Sequence, residues 1–191
     1  MSQAIALETL IQTLESLRAR YLIGGSVASS SQGLPRATLD TDLLVQLEPP
    51  QAVLLANALG NDWYIDATFA RESIERGHAF NIIHMPSGHK FDLFPAVDAF
   101  HLSELERTTR RTLTIPGGKV TCFVATTEDS ILAKLQWYRQ GGEVSDRQWS
   151  DITGMLIINR DIDHSYLNLW ARQLGVVDLL EKAIQMTSEP I

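Results

Sequence analysis

The chain has 191 residues, 45% hydrophobic and 20% charged, with a formal net charge of -7. Those fractions are the ones of an ordinary globular protein, and the length suits one sizeable core or a domain with a small appendage. No apolar run approaches the roughly 18 residues needed to span a membrane, so no membrane association is expected. The first residues carry no basic stretch ahead of an apolar one, so no secretion signal is expected either. The single cysteine, Cys122, excludes an internal disulfide and fits a reducing, cytoplasmic setting. The acidic balance argues against a broad nucleic-acid-binding surface, and leaves Arg107, Arg110, Arg111 and Lys119 either as a local basic patch or as dispersed surface charge.

Residues 4–18 read as an amphipathic helix, with Ile5, Leu7, Leu10, Ile11, Leu14 and Leu17 at helical spacing. Tyr21-Leu22-Ile23 reads as a short buried strand that ends in Gly24-Gly25-Ser26, and a short helix can follow. After a loop through Gly33 and Pro35, residues 42–47 form a second strand, which Glu48-Pro49-Pro50 stops. Proline in a first turn suits the start of a helix through about Leu59. Tyr64-Ile65 is a short strand candidate. Residues 66–76 read as a helix with Asp66 as N-cap and Gly77 as its stop. Residues 79–85 and 90–94 flank Pro86-Ser87-Gly88-His89 and read as a hairpin. A stretch rich in Glu and Arg follows as helix or loop, and a second hairpin spans residues 113–124 around Pro116-Gly117-Gly118.

From Thr126 the pattern turns helical. Ile131, Leu132, Leu135 and Tyr138 recur at helical spacing up to Gly141-Gly142. Ser145-Asp146-Arg147-Gln148 is a capping-box pattern that opens the next helix, and two more helical stretches run over about 166–174 and 176–186. Trp137, Tyr138, Trp149 and Trp170 fall at apolar spacing and read as core. Asp161-Ile162-Asp163 reads as a loop and helix cap. His84 and His89 flank a turn without a zinc-ligand pattern, which leaves them packing or surface roles. The division of the chain is therefore expected near 125: residues 1–125 as an α/β core with a mixed sheet, and 126–191 as a C-terminal helical bundle packed on it.

Chemistry gathers near the second strand. Residues i and i+2 of a strand point to one face, so Asp40 and Asp42 put two carboxylates side by side. Like charges that close repel, and a shared hard cation such as Mg²⁺ is the natural reason to keep them. The alternative is a turn residue followed by a solvent-facing strand residue. Backbone N–H groups at Gly24-Gly25-Ser26 suit an anion, and glycine lets a phosphate approach closely. This is neither a P-loop, since no Gly-Lys-Ser/Thr follows, nor a dinucleotide fingerprint, since no third glycine comes at the required spacing. Asp92, between Phe91 and Leu93, shares its face with Lys90 and Phe94. If its strand neighbours the Asp40/Asp42 strand, three carboxylates converge, the arrangement that two-metal phosphoryl transfer requires.

A Gly-Gly-Ser turn, an Asp-x-Asp on the next strand and a later lone Asp on a strand resemble the DNA polymerase β-like nucleotidyltransferase superfamily. Arg36-x-Thr38-x-Asp40-x-Asp42 further resembles its abortive-infection AbiEii-type branch, as do Glu128-Asp129-x-x-x-x-Lys134 and Arg147-x-x-x-Asp151. The resemblance spans about residues 20–158, and the chain departs from it in a longer, Ser-rich stretch over 28–33. It implies transfer of a nucleotide from a nucleoside triphosphate such as ATP to an acceptor hydroxyl. Asp40, Asp42 and Asp92 are then the metal ligands for two Mg²⁺ ions, with Asp92 alternatively the general base. Gly24, Gly25, Ser26 and Arg36 are expected at the nucleotide, Lys134 at phosphate, and Arg147 and Asp151 beside it. Without the resemblance, Lys134 reads as a snorkelling surface lysine and Arg147/Asp151 as an exposed i, i+4 ion pair. The AbiEii likeness points to an RNA end such as tRNA as acceptor, in a toxin–antitoxin setting with an antitoxin partner. The alternatives are a small-molecule acceptor, as in antibiotic nucleotidyltransferases, and a non-catalytic nucleotide-binding or antitoxin-like protein.

Overall fold

The computed structural model describes residues 2–34 and 40–188. The chain divides into two compact units. The first holds helix α1 (Gln3–Ser16), strand β1 (Arg20–Ile23), β2 (Asp40–Gln46), α3 (Gln51–Leu59), β3 (Trp63–Tyr64), α4 (Ala67–Arg76), β4 (Phe80–His84), β5 (His89–Pro95), α5 (Ala99–Arg107), β6 (Thr109–Ile115) and β7 (Gly118–Val124). The second holds α2 (Gly25–Gln32) together with α6 (Thr127–Gln140), α7 (Asp146–Ile158), α8 (His164–Leu174) and α9 (Val177–Ser188). The sequence reading placed α2 with the core, but its hydrogen bonds tie it to the later helices. Gln32 Nε2 donates to the Ala125 carbonyl at 2.6 Å, and Asn159 Nδ2 donates to the Gln32 carbonyl at 2.7 Å.

Among the described residues the first unit is built on a seven-stranded mixed sheet in the order β3-β4-β5-β2-β1-β7-β6. β2 pairs with β5 in parallel and β1 with β7 in parallel, while the other neighbours are antiparallel. The central strands alternate. On β2 and β5 the residues Thr41, Leu43, Val45, Phe91 and Leu93 are buried, which sends Asp40, Asp42, Lys90 and Asp92 to the opposite face. The core face is closed by helices: α1 packs on β1, β7 and α3, and α4 packs on α3 and β4. Leu7, Leu10 and Leu14 of α1 are fully buried.

The local signals in the sequence are realised by the chemistry expected of them. Asp66 caps α4 by accepting from the Phe69 N–H, and Gly77 ends it at φ +68°. Thr126, Ser145 and Asp163 cap α6, α7 and α8, each by accepting an N–H three residues on. Some elements differ from the expectation. The short strand is Trp63–Tyr64, one residue earlier than expected. The stretch before the second hairpin splits into α5 and a β6 that begins at Thr109, and the register puts Arg110 and Lys119 on one face of the hairpin and Arg111 on the other. Trp137 is half exposed rather than core, and Trp149 and Trp170 are only partly covered, because α6 turns its Leu132, Leu135 and Tyr138 inward instead. No helix among the described residues is long and apolar enough to cross a membrane.

Candidate active site

The register of β2 on β5 decides what the acidic residues do. Asp42 lies opposite Asp92, and Asp40 lies opposite Lys90. The three carboxylates therefore share one face of two adjacent parallel strands, which sit about 4.8 Å apart. On the far side of β5, Asn81 of β4 is the partner of Asp92, and it extends the polar row. Gly24 follows β1 and donates its N–H to the Asp42 carbonyl at 2.9 Å, which fixes the glycine turn against the start of the acidic strand.

The Lys90 ammonium lies among the carboxylates. Its Nζ is 2.9 Å from Asp92 Oδ2 and 3.5 Å from Asp40 Oδ2. The hydrogen bond to Asp92 is the main cause that raises the Lys90 pKa above its ordinary value, with Asp40 adding to it. An all-carboxylate donor set fits a hard divalent cation, which takes oxygen ligands. Among the described residues, no three His, Cys, Asp or Glu side chains are grouped closely enough to hold a metal ion between them as they stand.

Behind the acidic face a polar contact supports the strands. Thr41, between the two aspartates, is fully buried on the core side, and its Oγ1 is 2.9 Å from His89 Nε2. The His89 ring packs edge-on to Phe91, and the neighbouring His84 lies against Trp63 and 2.8 Å from Ser87 Oγ. Burial lowers the pKa of both histidines. Of the packing and surface roles left open for them, both take packing, and His89 ties the first residues of β2 to β5.

The remaining candidates belong to the second unit. Gly25, at φ +54°, opens α2 and is followed by Ser26. Lys134 and Asp151 are both buried, at 8% and 7% exposed, and pair across α6 and α7 with Nζ to Oδ2 at 2.9 Å. Ser29 of α2 donates to the same Asp151 oxygen at 3.4 Å. Lys134 is therefore not a snorkelling surface residue. Asp151 meets Lys134 where the spacing alone suggested Arg147, and Arg147 is exposed. Asp129 is fully buried and accepts from Thr126 Oγ1 at 2.7 Å and from the Tyr166 hydroxyl at 2.6 Å. Glu128 accepts the Asp163 N–H at 3.0 Å. These two acids of the Glu128-Asp129 motif hold α6 to α8. Arg36 lies outside the described residues.

Alternation along β5 puts Lys90 on the acidic face, and only the register shows that it stands opposite Asp40. Asn81 and the Thr41–His89 contact were also missed, as each depends on which strands become neighbours.

No protein-family model matches the chain, and neither does any curated protein. Solved structures do. An antigenic nucleotidyltransferase-like protein from Paracoccidioides brasiliensis is 19% identical, with a TM-score of 0.50 over 95% of this chain and 91% of that one. The antibiotic-resistance factor ANT(2'')-Ia matches in its solution structure at 10% identity and TM-score 0.51, over 96% of this chain and 97% of that one. Its crystal structure in complex with adenylyl-2''-tobramycin matches at 11% identity and TM-score 0.50, over 91% and 97%. At these identities the likeness is one of fold, and the fold of this chain is the mixed α/β fold of nucleotidyltransferase-like proteins.

Proposed function

We propose that the protein is a nucleotidyltransferase that moves a nucleoside monophosphate from a triphosphate to an acceptor hydroxyl and releases pyrophosphate. The observation that carries the reading is the register that puts Asp40, Asp42 and Asp92 on one face beside the Gly24 turn, in a fold like that of nucleotidyltransferases. Asp40 and Asp42, with Asp92, would hold one or two Mg²⁺ ions, which supply neutralisation of the triphosphate charge and activation of the attacking oxygen. On the resemblance, Asp92 would be the third metal ligand or would take the proton of the acceptor hydroxyl. On the resemblance, Gly25 and Ser26 would offer N–H and hydroxyl donors to phosphate oxygens, and Gly24, whose own N–H is held by the Asp42 carbonyl, would let the phosphate approach closely. Lys134, Arg36, Arg147 and Asp151 join the nucleotide-binding set on the resemblance. For Lys134 a phosphate contact requires its ion pair with Asp151 to open.

For the acceptor we favour a small polyhydroxylated cation of the aminoglycoside kind. The nucleotidyltransferase ANT(2'')-Ia, bound to adenylyl-2''-tobramycin in one structure, matches nearly end to end, and a chain of charge -7 attracts a polycation and repels RNA. The second reading, an RNA end such as tRNA with an antitoxin protein as partner, rests on the Arg36–Asp42 motif of the AbiEii type. A non-catalytic nucleotide-binding role is disfavoured by the complete set of three carboxylates. The test presents each α-labelled ribonucleoside triphosphate with Mg²⁺ and either tobramycin or total tRNA. Label on the drug supports the first reading and label on tRNA the second. Triphosphate binding without transfer to either points to the non-catalytic role.

A further inference from the structure

We infer that Lys90 is a built-in counter-cation that holds the Asp40 and Asp92 carboxylates while the site carries no metal, and that a divalent cation must displace it. The inference rests on the reading of Asp40, Asp42 and Asp92 as metal ligands.

Four charged side chains form a two-by-two block on the exposed face of β2 and β5. Asp40 and Asp42 line one strand, Lys90 and Asp92 the other. Three carboxylates on one face of two adjacent strands repel one another, and a single ammonium leaves the block at a net charge of -2. Lys90 spans the diagonal, reaching Oδ2 of its own-strand neighbour Asp92 and Oδ2 of Asp40 across the strand gap. It therefore takes up an oxygen from two of the three carboxylates that a metal ion would use.

The chemistry of the side chain suits temporary occupancy. Lysine is a compact, strongly hydrated charge on a flexible four-carbon stem, so it binds as a point cation and can leave without disturbing the backbone. The Lys90 side chain is 38% exposed, which leaves it a path to water. A neutral residue would leave the block at its full negative charge in the absence of metal. Two partly exposed ion pairs are modest opponents, so the competition tunes metal affinity rather than abolishing it.

The test uses the full-length protein stripped of metal with a chelator, then titrated with Mn²⁺ alone, bound and free ion being separated by electron paramagnetic resonance. Wild type, Lys90→Met and Asp42→Asn are compared, with Lys90→Gln as a second neutral variant. Lys90→Met is expected to bind Mn²⁺ on the order of threefold to tenfold more tightly than wild type, the loss of two competing ion pairs. Its melting temperature should fall below that of wild type in chelator and recover towards it with Mn²⁺. Equal Mn²⁺ affinity in wild type and both neutral variants, with Asp42→Asn binding abolished, overturns the role of Lys90 and leaves the metal site intact. Mn²⁺ binding that survives Asp42→Asn, or no binding by any variant, overturns the metal-ligand reading and this inference with it.

Discussion

The buried pair Lys134–Asp151 offers a sharp energetic test of how α6 and α7 are held. The two side chains are 8% and 7% exposed, and the ammonium and carboxylate meet at 2.9 Å. In Lys134→Met the Asp151 carboxylate stays buried without its ammonium. Losing one partner of a buried pair costs about 3–5 kcal/mol, most of it the desolvation of the charge left behind. In a chain of this length that is a fall in melting temperature of roughly 6–20 °C. Asp151→Leu strands the Lys134 ammonium and should cost a similar amount. In Lys134→Met with Asp151→Leu both charges are gone and apolar groups fill their place, so the double variant should lie within about 1–2 kcal/mol of wild type. Urea unfolding followed by far-ultraviolet circular dichroism reads the four proteins, with equal slopes as the check that one transition is compared. Single variants that each cost under about 1 kcal/mol, or losses that simply add, would mean that water reaches the pair and that the burial argument fails.

Two further outcomes follow from the first unit. Burial lowers the pKa of His84, His89 and His101 below 6.5, so these rings are neutral in the folded protein while the unfolded chain takes up protons. Their contribution is fully present above pH 6.5 and is lost as pH falls through the lowered values, with a slope of about 1.4 kcal/mol per pH unit for each proton. Urea midpoints should therefore drop between pH 6.5 and 5, His89→Gln should flatten that drop, and an unchanged slope would remove His89 from the explanation. Gly77→Ala places a Cβ at φ +68° and 2.7 Å from Val97 Cγ1, so it should cost about 2 kcal/mol by the same unfolding assay, whereas a neutral effect would mean that the end of α4 relaxes freely.

Much of the fold was legible because its signals are local. Caps such as Asp66, Ser145 and Asp163 act over three residues, and the alternation around Phe91-Asp92-Leu93 fixes which side chain faces the core. The convergence of Asp92 on Asp40 and Asp42 was legible only as a condition, since it depends on β5 adding in parallel to β2, a pairing of residues about fifty positions apart. What escaped the sequence was partner choice. Spacing on one helix offered Arg147 to Asp151, but the packing of α6 on α7 brings Lys134 there and leaves Arg147 exposed. Lys90 gave no signal beyond its face, and Trp137 shows that an apolar position on a helix covered on one side only can still look outward.

On the proposed function, the carboxylate face of β2 and β5 performs nucleotidyl transfer. The measurement that addresses it most directly is transfer of label from an α-labelled triphosphate to acceptor, for wild type and Asp42→Asn side by side, with melting temperatures on the same preparations. Asp42 is a partly exposed strand residue opposite Asp92, so its neutral isostere should fold with a melting temperature within about 2 °C of wild type, or slightly above it as repulsion is relieved. Transfer by wild type should fall to background in Asp42→Asn. Full activity in a folded Asp42→Asn protein would contradict it.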